Sequence, residues 1–330
     1  MRLPIAVGRK EALWFGVSGV LLAGLIYLAD VDEFLSSIGH ADPRLFAVAV
    51  VVGFSSLLVW ALVWHRFFRR MAIDATASLT LRMFLTGHFL NSITPLGQFG
   101  GEPIMAYIVS DNTDTDYETT LACVISADIV NATPFFTFTL GGLLYLAVFG
   151  ALQGLLVDIA VISVLIVLAG GLVAYLLWSK NGALGDTATR ILDAIERRLG
   201  RAESLFQSLK ERIYRVEDAF QEAGSDPRFL VTTAAVSHLA IIAQIVSLYF
   251  VFRSIGIEPE FVPLYLIVNL SVIATLSPTP GGSGTYEVAF SALVTLFYPV
   301  GLATALTAAV LFRLTTYWPG ILVGYAALLT

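Results

Sequence analysis

Two nine-residue stretches hold the residues best suited to chemistry in this chain. The first reads Thr94-Pro95-Leu96-Gly97-Gln98-Phe99-Gly100-Gly101-Glu102. The second, 185 residues later, reads Thr279-Pro280-Gly281-Gly282-Ser283-Gly284-Thr285-Tyr286-Glu287. Both follow the pattern Thr-Pro-x-Gly, four residues, then Glu. Glycine lets backbone amides approach a ligand closely. Each stretch is expected to lead into a helix, starting near Glu102 or Thr285. Helix N-termini offer free N–H groups and a positive dipole end, which suit phosphate. The candidate substrate-binding residues are therefore Thr94, Gly97, Gln98, Gly100, Gly101 and Glu102 in the first stretch. In the second they are Thr279, Gly281, Gly282, Ser283, Gly284, Thr285 and Glu287. The same glycines also suit a tight hairpin that binds nothing. The run Gly281 to Thr285 lacks the Lys that a nucleotide loop requires.

Four charged residues sit in apolar surroundings. Glu102 and Glu287 are each read in two ways: as a charge or proton partner for substrate, and as a cap on their own helix's free amides. Arg313 is read as the receiver of an anionic head group, because guanidinium matches phosphate geometry. Asp128 either joins that site or forms an ion pair with Arg313 that locks two parts of the chain together. Asn91, Asn131 and Asn269 add polarity nearby. The four histidines have no ligand spacing and Cys123 is the only cysteine, so no metal site is expected. Signatures such as His-Glu-x-x-His and Gly-x-Ser-x-Gly are absent, so no catalytic residues and no cofactor are expected.

The elements that must position these residues lie in a membrane. Of 330 residues, 57% are hydrophobic and 13% charged, against about 25% charged in a soluble domain. The expected fold is all-α and polytopic, with about six full transmembrane helices near residues 13–29, 45–64, 119–149, 152–178, 229–252 and 302–328. The stretches 79–93 and 262–276 are apolar but too short to cross a bilayer, which takes about 20 residues. Each runs into a Gly-rich stretch. Backbone broken within a membrane is tolerated only where it faces protein or a wet cavity. Residues 180–227 are charged, with apolar residues at three- and four-residue steps, and read as a cytoplasmic amphipathic helical segment packed on the membrane face.

The chain repeats itself. Asp42-Pro43-Arg44 matches Asp226-Pro227-Arg228, the two Gly-rich stretches match, and Pro134 matches Pro319 with Asp128 opposite Arg313. This predicts one transmembrane domain over 1–330. Repeat one covers 42–149, a transmembrane helix and linker cover 150–225, and repeat two covers 226–330. Each repeat holds a spanning helix, a helix–Gly loop–helix hairpin and a spanning helix kinked at its proline. If the hairpins are re-entrant, sixteen of the nineteen Lys and Arg lie on one side, the cytoplasmic side by the positive-inside tendency. Both termini are then cytoplasmic and the repeats are inverted, with the Gly-rich tips meeting near the midplane. No basic surface for nucleic acid is present.

These motifs resemble the lysylphosphatidylglycerol synthase transmembrane-region family of flippase-like membrane proteins. Pro95 to Glu102, Pro278 to Glu287, and Arg313 with Trp318-Pro319 carry the resemblance, which extends over nearly the whole chain. It implies a lipid flippase in the cytoplasmic membrane. Members serve varied lipids, so the resemblance does not name the substrate; the residues themselves are read as suiting an anionic phospholipid or a lipid-linked glycan of the polyprenyl-phosphate type. The family often has a basic residue after the Asp of repeat one, where this chain has Ile129. The chain stops after its last span, so the aminoacyltransferase activity of fused members is not expected, and the protein is expected not to be an enzyme. A small-solute or ion-coupled secondary transporter and a membrane-embedded lipid-phosphate enzyme are the rival readings. The sequence leaves the oligomeric state open.

Overall fold

The computed structural model describes residues 9–93, 97–149, 154–178, 186, 188–190, 192–193, 203–277 and 279–329, with backbone alone at 9–15, 97–100, 155, 203–206, 208 and 276. Thr94 therefore lies outside the described residues, as does most of 179–202. The described regular structure is helical, without a strand. It comprises α1 (Arg9–Leu28), α2 (Val31–Gly39), α3 (Pro43–Arg70), α4 (Ala77–Ile93), α5 (Gly97–Thr113), α6 (Tyr117–Val148) and α7 (Leu155–Trp178). There follow α8 (Glu203–Ala223), α9 (Pro227–Ser254), α10 (Phe261–Ser271), short 3-10 turns at Val272–Leu276 and Pro280–Gly282, α11 (Thr285–Phe297), α12 (Leu302–Arg313) and α13 (Tyr317–Leu329).

Five described segments are long and apolar enough to cross a membrane: α3, α6, α7, α9 and the stretch Leu302–Leu329 that holds α12 and α13. The sixth expected span corresponds to α1, whose described apolar part, Gly16–Leu28, is shorter.

The frame of the molecule is the pair α3 and α9. Asp42 and Asp226 cap them alike, each accepting from two amides of the first turn, with proline at the first helical position. The two helices run antiparallel. The Asp42 N–H, at the start of α3, donates to the Ser254 carbonyl at the end of α9 at 2.8 Å. At the other end, Arg66 donates to Thr233 and Arg70 to Ser225. Midway, Ser247 Oγ donates to the Ala49 carbonyl at 2.8 Å. Gly53 leaves no room for a side chain beside Ser247 and Thr315.

The short helices form two hairpins whose ends lie together. In the first, α4 and α5 have 17 residues each, about 25 Å of helix against a hydrocarbon core of about 30 Å. The chain enters it after Arg70, which bonds Ser225, and leaves it at Glu118, which pairs with Arg212 at 3.7 Å and Arg215 at 3.4 Å of α8. Both ends of the hairpin therefore sit beside the segment from α8 to Ser225. In the second, Tyr298 Oη accepts from the Glu260 N–H at 2.9 Å, tying the end of α11 to the start of α10. The hairpins are clasped reciprocally, with α13 packed along α4 and α6 packed on α10.

Three local expectations change. The helix α6 runs unbroken through Pro134, because Thr133 Oγ1 donates to the Val130 carbonyl at 2.7 Å, the group that Pro134 cannot bond. The last span instead breaks at residues 314–316, and Pro319 falls in the first turn of α13, where an N–H is not required. The helix α5 starts at Gly97, well before Glu102. Its glycines allow close packing on α4: Gly101 lies against the Asn91 side chain, while Gly87 of α4 lies against Met105.

Candidate functional site

Arg313 is the last residue of α12, placed where the final span breaks, and it is only 4% exposed. A buried guanidinium needs compensation. Arg313 finds it in the second Gly-rich tip. Nη2 donates to the Gly281 carbonyl at 3.0 Å, and Nη1 lies 3.4 Å from Glu287 Oε1. The guanidinium is held between two aromatic faces, 3.6 Å from the Tyr317 ring centroid and 5.0 Å from that of Tyr286. Nη1 still has no hydrogen bond: the Glu287 contact satisfies the ion-pair distance only.

Glu287 thus does two jobs. Its Oε2 accepts from the Gly284 N–H at 2.7 Å, capping α11. Its other oxygen faces Arg313. The ion pair expected between Asp128 and Arg313 is replaced by this one, since Glu287 comes from the hairpin directly packed on α12. Asp128 accepts instead from Trp64 Nε1 at 3.0 Å. Glu102 lies beyond the first turn of α5 and so cannot cap its N-terminus.

The second tip is built to hold itself. Gly281, Gly282 and Gly284 have φ of 54°, 68° and 88°, in the left-handed region that glycine alone enters cheaply. Ser277 Oγ bonds Thr279 Oγ1 at 2.8 Å and Thr285 Oγ1 at 2.7 Å, and Thr285 also donates to the Ala274 and Gly282 carbonyls. Gly284 abuts Ser18 and Leu21 of α1. The Gly284 N–H at the start of α11 is thus taken by its own Glu287, and Gly284 packs on α1, so this end of the helix does not open onto the cavity described next.

A cavity of about 590 Å³ lies between the two hairpins and the frame helices. Of the sequence candidates, it is lined by Glu102, Asp128, Gly281 and Arg313. Gly101, Thr279, Gly282, Ser283, Gly284, Thr285 and Glu287 do not line it. Gly97, Gln98 and Gly100 are described only as backbone in the first turns of α5. Asn91, Asn131 and Asn269 reach the wall, as do residues that pattern reading passed over: Trp60, Trp64, His88, Gln244, Tyr286 and Tyr317. Aromatic residues and a lone His or Gln in apolar helices give no spacing signal, so only the fold finds them. Four buried atoms on this wall have no hydrogen-bond partner among the described residues: Trp60 Nε1, His88 Nε2, Asn91 Oδ1 and Arg313 Nη1. Buried polar groups are nearly always paired, so these four atoms leave room on the cavity wall for a polar partner, water or solute. Tyr317 joins the two tips. Its hydroxyl donates to the Ser92 carbonyl at 3.3 Å at the first, and its ring abuts Gly281 at the second.

Fold and site together define an integral membrane protein of helical type, with a largely apolar cavity that carries several polar and charged groups between two helical hairpins and the frame helices. A family model described as the lysylphosphatidylglycerol synthase TM region matches residues 13–324, and the chain belongs to that family. It is similar to a UPF0104 membrane protein of Pyrococcus horikoshii, 27% identical over 319 residues that cover 94% of this chain and 93% of that protein. It is similar also to a UPF0104 membrane protein of Methanothermobacter thermautotrophicus, 25% identical over 328 residues, 97% of this chain and 95% of the other. A third relative is the glycosyltransferase AglD of Haloferax volcanii, 27% identical over 330 residues, 89% of this chain but 51% of that protein.

Proposed function

We propose that this protein is a lipid translocase of the cytoplasmic membrane. The lipid's anionic head group, phosphate-bearing or sugar-phosphate, occupies the cavity while its tails stay in the bilayer. One observation carries the reading: Arg313 is buried, faces the cavity and keeps Nη1 free of any hydrogen bond. The guanidinium is held by one carbonyl, two rings and the Glu287 carboxylate, whose contact with Nη1 reaches only ion-pair distance, so that nitrogen can still donate to a phosphate oxygen.

The antiparallel α3 and α9, with their matching Asp-Pro starts, support inverted repeats. The shared entry and exit of each hairpin supports re-entrance. In this reading the tips reach the midplane from opposite faces, both termini are cytoplasmic, and access alternates around a fixed site. The hydroxyls of Ser277, Thr279 and Thr285 are spent on one another and on the tip's own carbonyls, so we read the protein as a carrier rather than an enzyme. The Haloferax relative's name makes a sugar-bearing lipid the first substrate to try, although its activity belongs to a chain about twice this length. An ion-coupled solute transporter is the second reading, favoured by the two carboxylates on the cavity wall.

The test is leaflet transfer of fluorescent lipids in proteoliposomes. Probes should include phosphatidylglycerol and a polyprenyl-phosphate sugar, and lipids that co-purify should be identified by mass spectrometry. Transfer that Arg313→Ala abolishes supports the proposal. Solute uptake with no transfer of any co-purified lipid would replace it with the second reading.

A further inference from the structure

The cavity has a charge imbalance that the head-group site does not explain. Arg313, the one Lys or Arg among its described lining residues, is already matched by Glu287 from outside the cavity wall. Glu102 and Asp128 also line the cavity, from α5 and α6, and neither has an ion-pair partner among the described residues. Among the described residues, the side-chain hydrogen bond to Asp128 comes from the Trp64 indole N–H. The surrounding wall includes Leu57, Phe84 and Met105. Two unpaired carboxylates facing one membrane cavity cannot both stay charged there at low cost. Intramembrane carboxylates without cations are the parts from which proton relays are made.

We infer that Glu102 and Asp128 form a proton-carrying pair that couples lipid transfer to the proton gradient. The inference rests on the translocase reading above. The arrangement favours a proton over a metal ion. The indole donor occupies Asp128 Oδ1, and an N–H aimed at that oxygen opposes a cation. No group of three or more metal-ligating side chains occurs among the described residues. The titratable and charged groups that face the pair are His88 from α4, Cys123 one turn back on α6, Tyr286 from α11, and Arg313 and Tyr317 from the broken last span.

The coupling follows from like-charge repulsion. An anionic head group at Arg313 shares the cavity with both carboxylates. With the pair charged, the anion is repelled; with a proton bound, it is admitted. The proton is taken from the water on the side where the head group enters. It is released to the other side when the pair is re-exposed there. The net movement is one proton with one lipid, and no bond in the lipid changes.

The full chain in vesicles of phosphatidylethanolamine and phosphatidylglycerol tests this, with a trapped pH-sensitive dye and fluorescent phosphatidylglycerol as the transfer probe. Infrared difference spectra taken as pH is varied report the carboxyl groups directly, whatever the lipid. The expected result is a titrating carboxyl band that shrinks in Asp128→Asn and in Glu102→Gln. Transfer should rise severalfold under an inward-acid gradient, with dye-reported proton movement. Asp128→Asn should lose that acceleration, and Asp128→Glu should restore part of it. Asp158→Asn, on the exposed face of α7, should behave as wild type. Transfer at one rate with or without the gradient, in all variants, would overturn the coupling while leaving the translocase standing. Acceleration by a sodium gradient at clamped pH would also overturn it, in favour of a cation site. Absence of transfer for this probe and for every co-purified lipid would remove the translocase reading and the coupling with it.

Discussion

Glu287 Oε1 and Arg313 Nη1 lie 3.4 Å apart, and both side chains are nearly out of contact with solvent, at 7% and 5% exposure. The pair joins the helix after the second tip to the point where the last span breaks. Removing one member of a buried pair leaves an uncompensated charge and costs about 3–5 kcal/mol, while replacing both with apolar residues is often neutral. Glu287→Gln should therefore lower the unfolding temperature in detergent sharply. Glu287→Leu combined with Arg313→Met should recover much of that stability yet remain inactive in lipid transfer. Recovery of transfer along with stability would reduce Arg313 to a packing residue.

Tyr317 makes two separable contacts. Its ring lies 3.6 Å from the Arg313 guanidinium carbon, and its hydroxyl reaches the Ser92 carbonyl at 3.3 Å. Tyr317→Phe keeps the ring and loses a hydrogen bond of about 1 kcal/mol. Tyr317→Ala also removes a desolvated cation–π contact of about 2 kcal/mol. Transfer should fall only modestly in the first variant and strongly in the second. Equal loss in both would assign the effect to the tie between tips.

Glycine substitutions should rank by what the new methyl meets. At Gly324 on α13 it meets the Leu85 backbone of α4. At Gly87 it meets the long side chain of Met105, which can move. Overpacking costs roughly 1–3 kcal/mol, with the high end where nothing can yield. Gly324→Ala should destabilise more than Gly87→Ala in thermal denaturation, and the reverse order would contradict the α4–α13 packing.

Labelling from one side tests orientation. Gln207 and Glu260 are both exposed. In a Cys123→Ala background, an impermeant maleimide should reach Cys at position 207 only from the cytoplasmic side and Cys at 260 only from outside. Labelling of both from the same side would end the inverted-repeat reading.

Much of the frame was legible because it rests on strong local signals. The Asp-Pro starts at 42 and 226 mark two helices that cap alike, and long apolar runs mark the spans. The break near Arg313 was not legible. Proline is the visible helix breaker, yet Pro134 is accommodated by Thr133, and Pro319 sits where proline does no harm. The tip glycines announced a turn but could not reveal that Glu287 takes the Gly284 N–H and that Gly284 packs on α1. Arg313 stood out as a charge in an apolar run. Its partner did not, because register within one repeat pair suggested Asp128, whereas contact within the hairpin chose Glu287. The aromatic wall of Tyr286 and Tyr317 depends on three segments converging, which no single window contains.

One wall of the cavity is unlike the rest. The helix α7 contributes Ile166 to it, yet only 6% of its apolar window is buried, with Gly170 against Phe136 among its few close fits. On that side the wall is a helix lightly held by the rest of the molecule. If the translocase proposal holds, an amphiphile seated with its charged end inside would displace very little to keep its hydrocarbon end outside, and the length of that hydrocarbon would set no limit on what the chamber accepts.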